Sequence, residues 1–180
     1  MWGHTLVPWT VAWTVEQSRI WVGRCPHVQK IAICQLEAPG HGRPMFGTPH
    51  HQRQRRAIQM GWCDLCGRSL RNSTKVSLSK ARPRGNAAEG WAVLQVEPML
   101  HRGCAALSTE WCPSLKRDVR SGEVEIRRVT QWRAQLAVLR PDKVPLYVPG
   151  YVVQPGQQIV GAAKVELQKW TRETLGWLVR

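Results

Sequence analysis

The chain has 180 residues, 43% of them apolar, and carries 26 Lys and Arg against 12 Asp and Glu for a formal net charge of +14. That length supports one ordinary domain, or a small metal-stapled module with flanking lobes, and excludes two large independent cores; the apolar content excludes a disordered chain. Residues 1–62 carry seven basic and two acidic groups, 63–112 seven and four, and 113–180 twelve and six, so the excess is not a detached basic tail. It suits a polyanionic partner such as DNA or RNA, an acidic protein surface, or simple solubility.

Ten Trp accompany two Tyr and one Phe. Aromatic core volume must therefore come mainly from indoles, and because each buried ring N–H needs a partner, several should sit at the core boundary or on a contact surface. The N-terminus, MWGHTLVPWTVAWTVEQ, has no Lys or Arg before its apolar stretch and no small-residue cleavage site, so it fails as a secretory signal. No run of about eighteen apolar residues is present to span a membrane. The expectation is a soluble, cytoplasmic protein, in whose reducing surroundings six cysteines read as metal ligands or buried thiols rather than disulfides.

In chain order, residues 9–23 are rich in Val, Ile, Trp and Thr and predict one or two strands, and 31–36 (IAICQL) another. Residues 37–49 pack three Pro and three Gly into thirteen residues, which predicts a loop or an extended connection crossing the surface. HHQRQRRAIQM at 50–60 predicts a short helix with Arg53 and Arg56 on one face and Arg55 on another. STKVSLSK (73–80) and WAVLQVEP (91–98) alternate apolar and polar residues and predict a β-hairpin whose long tip is ARPRGNAAEG. HRGCAALSTEW (101–111) predicts a helix ended at Cys112-Pro113. Residues 123–140 are consistent with a strand continuing as a helix, and YVVQPGQQIVGAAKV with strands about a Pro-Gly turn. A helix over 162–178 would place Val165, Trp170, Trp177 and Leu178 roughly on one side.

The strongest signal is Cys63-x-x-Cys66-Gly67 followed by His101-x-x-Cys104. Two residues between thiolates let a tight turn aim both sulfurs at one ion, and the following Gly permits the positive φ such a turn requires. A pair spaced by three on the first turn of a helix lies on one face, so both members reach the same ion. Knuckle, hairpin and helix in that order resemble the treble clef, with Cys63, Cys66, His101 and Cys104 as ligands of a structural Zn2+. Cys112 is the alternative ligand if the segment beyond Cys104 is a loop; along a regular helix it stands about 12 Å from Cys104. Cys25, His27, Cys34 and His41 fit no common ligand spacing.

The run Arg53-Gln54-Arg55-Arg56-Ala57 leading into Cys63-x-x-Cys66-Gly67, with His101-x-x-Cys104-Ala105 and Cys112-Pro113-Ser114-Leu115, resembles small uncharacterised bacterial and phage-encoded proteins with a C-x-x-C-G, Cys-or-His-x-x-C-A, C-P-x-L pattern. The resemblance covers residues 50–115 and implies a zinc-binding protein of phage or mobile-element context, with no activity attached to it.

The fold class expected is α+β: an N-terminal β-leaning lobe and loop (1–49), the zinc module (50–115) and a C-terminal α/β extension (116–180), packed as one unit. Function points away from an enzyme. There is no P-loop, G-x-G-x-x-G, G-x-S-x-G or H-E-x-x-H, and His50-His51 has no evident partner. An HNH-type nuclease needs a general-base His on the hairpin, whereas residues 67–100 contain no His and only Asn72 and Asn86. The expected function is nucleic-acid binding through Arg53, Arg55, Arg56, Arg68, Arg71, Lys75, Lys80, Arg82 and Arg84, with a nearby Trp for base stacking. The alternative is a protein-interaction module for an acidic or host protein, with exposed Trp and Arg as anchors.

Overall fold

A computed structural model of the chain describes residues 1–86 and 90–180; Ala87 to Glu89, inside the expected hairpin tip, lie outside the described residues. The N-terminal part holds β1 (Val11–Trp13), a 3-10 turn (Thr14–Ser18), β2 (Ile20–Cys25), β3 (Lys30–Gln35), β4 (Pro44–Pro49) and helix α1 (His51–Met60). The middle holds β5 (Lys75–Ser79), β6 (Arg84–Asn86), β7 (Gly90–Gln95), β8 (Leu100–His101), α2 (Arg102–Trp111) and α3 (Pro113–Arg120). The C-terminal part holds β9 (Glu125–Val138), a 3-10 turn (Pro141–Leu146), β10 (Val160–Glu173) and α4 (Leu175–Val179). The class is mixed α+β, with strand exceeding helix.

One sheet runs β2-β3-β10-β9-β5-β8, and a separate pair joins β1 to β4. Its spine is the antiparallel ladder of β9 on β10, paired from Val160↔Val138 to Glu173↔Ile126. Along β10, Ala163, Val165 and Leu167 are fully buried while Lys164, Glu166 and Gln168 are only partly so, the period of two that one covered sheet face demands. The expected helix over 162–178 is therefore wrong: only Leu175–Val179 is helical. Ala, Lys, Glu, Leu and Gln are good helix formers, but the ladder with β9 overrides that local preference. Residues 125–138 are likewise strand throughout.

Two further expectations are corrected. Segment 73–80 does not pair with 91–98: β5 lies between β9 and β8, and β7 pairs with β10 and β6. Within the Pro/Gly segment 37–49, the extended stretch is β4, paired with β1. The Pro-Gly turn does form, with Gly156 at φ 76 and the Gln157 N–H bonded to the Gln154 carbonyl at 3.0 Å, but residues 151–159 around it are not strands.

Helix α1 is seated in a gap in the sheet. One edge of β10 pairs with β9; the other pairs with β3 at Val160 and with β7 at Val165 to Leu167. Gln54 fills the space between, its side-chain amide donating to the Ala163 carbonyl (2.7 Å) and accepting from the Ala163 N–H (3.0 Å) as a neighbouring strand would. Arg55 donates to the Gly161 (2.8 Å) and Ile33 (2.5 Å) carbonyls. Buried backbone polar groups demand partners, and here two polar side chains of a helix supply them.

The main aliphatic core, including Ile58, Leu70, Val76, Val93, Met99, Val165 and Leu167, lies where α1, the knuckle and α2 meet the sheet. None of the ten Trp is fully buried, the boundary position that the indole N–H favours. Among the described residues no helix is long and apolar enough to cross a membrane.

Candidate metal centre

The first two ligand candidates sit on a tight turn between α1 and β5. The Cys63 N–H donates to the Arg68 carbonyl (2.8 Å), the Gly67 N–H donates to the Cys63 carbonyl (2.9 Å), and Gly67 has φ 67. Glycine is required there twice over, by that left-handed backbone and because a Cβ would lie 2.7 Å from the Trp9 ring. The second pair is placed by β8 and α2: His101 ends the strand paired with Lys75 and caps α2, and Cys104 stands in its first turn. The Asp64 N–H donates to the Met99 carbonyl at 3.0 Å and ties the two halves together.

The donor atoms of Cys63, Cys66, His101 and Cys104 all lie within 4.8 Å of one another. His101 Nδ1 is 3.4 Å from Cys66 Sγ and 3.9 Å from Cys104 Sγ. Its Nε2 is 3.0 Å from the Ser69 carbonyl oxygen. A carbonyl only accepts, so Nε2 carries the proton and Nδ1 keeps its lone pair for the centre, the arrangement usual for a ligating imidazole. Tetrahedral ligation at about 2.3 Å sets sulfurs roughly 3.8 Å apart, so a contraction of about 1 Å would close these donors on an ion.

Electrostatics at the centre agree with the geometry. Burial, followed by the neighbouring Cys63 and Cys66, pushes the Cys104 thiol up to about 12, and burial also raises Cys63. Three thiolates cannot crowd together without a cation, and a bound cation reverses that logic. The cluster could hold a metal ion, and three sulfurs with one imidazole select a soft or borderline one.

Cys112 is not in the cluster. It stands at the far end of α2, ending that helix and opening α3. Cys25 and Cys34 are buried residues of β2 and β3, and among the described residues the four-donor group is the one that could hold a metal. His50 is an interior cap, its Nδ1 accepting from the Arg53 N–H at 3.2 Å.

The cations expected to contact phosphate divide sharply. Arg53 and Arg55 do not reach the surface: they are 1% and 0% exposed, and that expectation is withdrawn for both. Arg53 is bonded to Glu16, Trp9 and Val11, and Arg55 to the backbone of β3 and β10. Lys80 pairs with Asp118 (2.8 Å) and Glu123 (2.6 Å), and Arg82 donates to the Gly122 and Glu123 carbonyls. Arg68, Arg71 and Arg84 are exposed and Lys75 half-buried. Arg56 lies over the Trp62 ring at 4.3 Å, with Trp9 alongside.

Sequence reasoning missed the Ser69 carbonyl, which as a backbone atom leaves no residue signature. It also missed Glu16, whose only signal is that it is the one acid in an apolar N-terminal run. Comparison of the chain with protein-family models, curated proteins and solved structures finds no match in any of the three.

Proposed function

We propose that the protein is a small structural-zinc protein that contacts nucleic acid through the basic surface beside its knuckle. The observation that carries the zinc reading is the convergence of Cys63, Cys66, His101 and Cys104 within 4.8 Å, with His101 Nδ1 freed by the bond from Nε2 to Ser69. Four protein donors leave no position for a reacting water, which favours a structural over a catalytic ion. The succession of knuckle, β5 paired with β8, and α2 supports a treble-clef-like reading of the module. The phage or mobile-element setting rests on the motif resemblance over residues 50–115.

The nucleic-acid reading is supported by the charge of +14 and by cations near the knuckle that have no acidic partner within 4.0 Å among the described residues, namely Arg56, Arg68, Arg71 and Lys75. Trp9 and Trp62, half-buried beside Arg56, offer an aromatic face for stacking. A host-protein partner is the second reading, favoured by the exposed Trp91 and Trp111.

The test is elemental analysis of purified protein followed by titration with labelled DNA and RNA over a range of salt. About one zinc per chain is expected, with binding that weakens steeply as salt rises and a log–log slope shallower by about 0.7–0.9 for each of Arg68→Ala and Arg71→Ala. Lys80→Ala, which removes an ion-paired cation, should leave the slope unchanged. Zinc without nucleic-acid binding would move the reading to a protein partner, and absence of zinc would overturn the metal centre.

A further inference from the structure

Beside the knuckle lies a cavity of about 630 Å³, half enclosed between the N-terminal segment, β5, the β7–β8 connection, and helices α2 and α3. Protein interiors rarely keep such space open, and its walls are apolar. Four core residues, Val11 (7% exposed), Leu78 (7%), Leu100 (6%) and Val124 (7%), retain the most exposure of the buried hydrophobic set, and all four line this cavity. The incomplete burial of the core is thus concentrated at one place that a ligand would cover. Its size is that of small-molecule sites, which pair apolar walls with a few converging polar groups.

The polar groups carry a sign. Asp64 and Glu97 both face the cavity, and neither has a cation within 4.0 Å among the described residues, although basic groups outnumber acidic ones by 26 to 12. Their hydrogen bonds come from neutral hydroxyls, Thr10 to Asp64 and Ser79 to Glu97 (3.1 Å). Asp118, on the same wall, is already held by Lys80 and Arg117, and Lys80, which also lines the cavity, is in turn paired with Asp118 and Glu123. In a strongly cationic protein, a carboxylate such as Glu97 that opens on a largely apolar cavity without a cationic partner is complementary to an apolar body bearing one positive charge.

We propose that this cavity binds a small amphipathic amine, with its hydrocarbon part against Leu78, Leu100 and Leu115 and its ammonium at Glu97. It does not depend on nucleic-acid binding; because Asp64 and Leu65 sit between the knuckle cysteines, it is tested on protein whose metal content has been measured, so its failure and that of the proposed function are distinguishable.

The test uses the purified full chain and three probes of one shape: 4-phenylbutylammonium, 4-phenylbutanol and 4-phenylbutyrate. Calorimetric titration measures affinity, and Cys112, which lines the cavity and is half-buried, reports location through its alkylation rate, read by peptide mass mapping. The amine should bind, slow Cys112 alkylation several-fold, and exceed the alcohol in affinity by on the order of tenfold, the size of a charge-assisted hydrogen bond. Glu97→Gln should erase most of that preference while leaving alcohol binding unchanged, and Leu115→Trp, which fills the space, should remove calorimetric binding of both. Equal binding of all three probes, or tighter binding of the carboxylate, would overturn the proposed charge selection. No heat from any probe, with Cys112 alkylation unaltered, would overturn the site.

Discussion

Arg53 grips Glu16 through both terminal nitrogens, at 2.6 Å to Oε1 and 2.8 Å to Oε2, and the two side chains are 1% and 0% exposed. The carboxylate also accepts the Trp13 N–H (2.7 Å) and the Ala38 N–H (2.8 Å), while Arg53 donates to the Trp9 and Val11 carbonyls. This bidentate pair pins the N-terminal segment to α1, which in turn leads into the knuckle.

Removing one member leaves a buried charge without its partner. Glu16→Gln should therefore destabilise the chain by about 3 kcal/mol or more, measured by urea unfolding. Burial alone would raise the Glu16 pKa, but the Arg53 and backbone hydrogen bonds hold it below its ordinary 4.5. Its contribution is complete above that value and is lost as pH falls further, so acid unfolding should begin at higher pH in Arg53→Leu than in the parent.

The metal centre predicts a division among cysteines. Cys63→Ser and Cys104→Ser should lose the ion and melt far lower, because a structural zinc contributes on the order of 10 kcal/mol that the unfolded chain lacks. Cys112→Ser, outside the cluster, should keep one ion per chain by elemental analysis. Loss of metal from Cys112→Ser alone would reverse the assignment.

Gln54 makes two hydrogen bonds to Ala163 and a third to the Val96 carbonyl (2.8 Å). Gln54→Leu keeps the volume but orphans buried backbone groups of β10, and should cost about 2–4 kcal/mol. Amide exchange at Ala163 should rise more than at Val165, whose strand pairing is untouched.

Gly67 cannot accept a side chain without disturbance, with φ 67 and the Trp9 ring 2.7 Å from where a Cβ would stand. Gly67→Ala should cost about 1–3 kcal/mol. Trp9→Leu introduced beside it should recover the steric part, leaving only the backbone strain, as a double-mutant cycle would resolve.

His51 supplies a pH dependence. Burial, then the positive charge of Arg55 and the neighbouring His50, pull its pKa from 6.5 down to about 4. Below 6.5 the unfolded chain takes up a proton that the folded chain refuses, so stability should fall as pH drops from about 6.5 to 4 and this contribution should level off below. At 1.36 kcal/mol per unit, with allowance for partial solvent access, the loss is about 2 kcal/mol. His51→Gln should flatten that part of the pH–stability curve, measured as the difference from the parent at matched metal loading.

The metal donors were legible in the sequence because the information is local: two residues between Cys63 and Cys66, two between His101 and Cys104, and a Gly where the backbone turns left-handed. Helices α1 and α2 were legible for the same reason, since short uninterrupted stretches begin and end on recognisable signals. The fate of Arg53 and Arg55 was not, because a run of arginines reads as surface until its partners are known, and Glu16, Gly161 and Ile33 are all distant in the chain. Likewise Ala163, Val165 and Leu167 carry the period of a strand within a composition that favours a helix, and only the ladder with β9 decides between them. Local spacing thus determined where an ion could be held. Which cations are left to face solvent, and which strands pair, was decided by tertiary structure, because burial and strand pairing are properties of residues far apart in sequence.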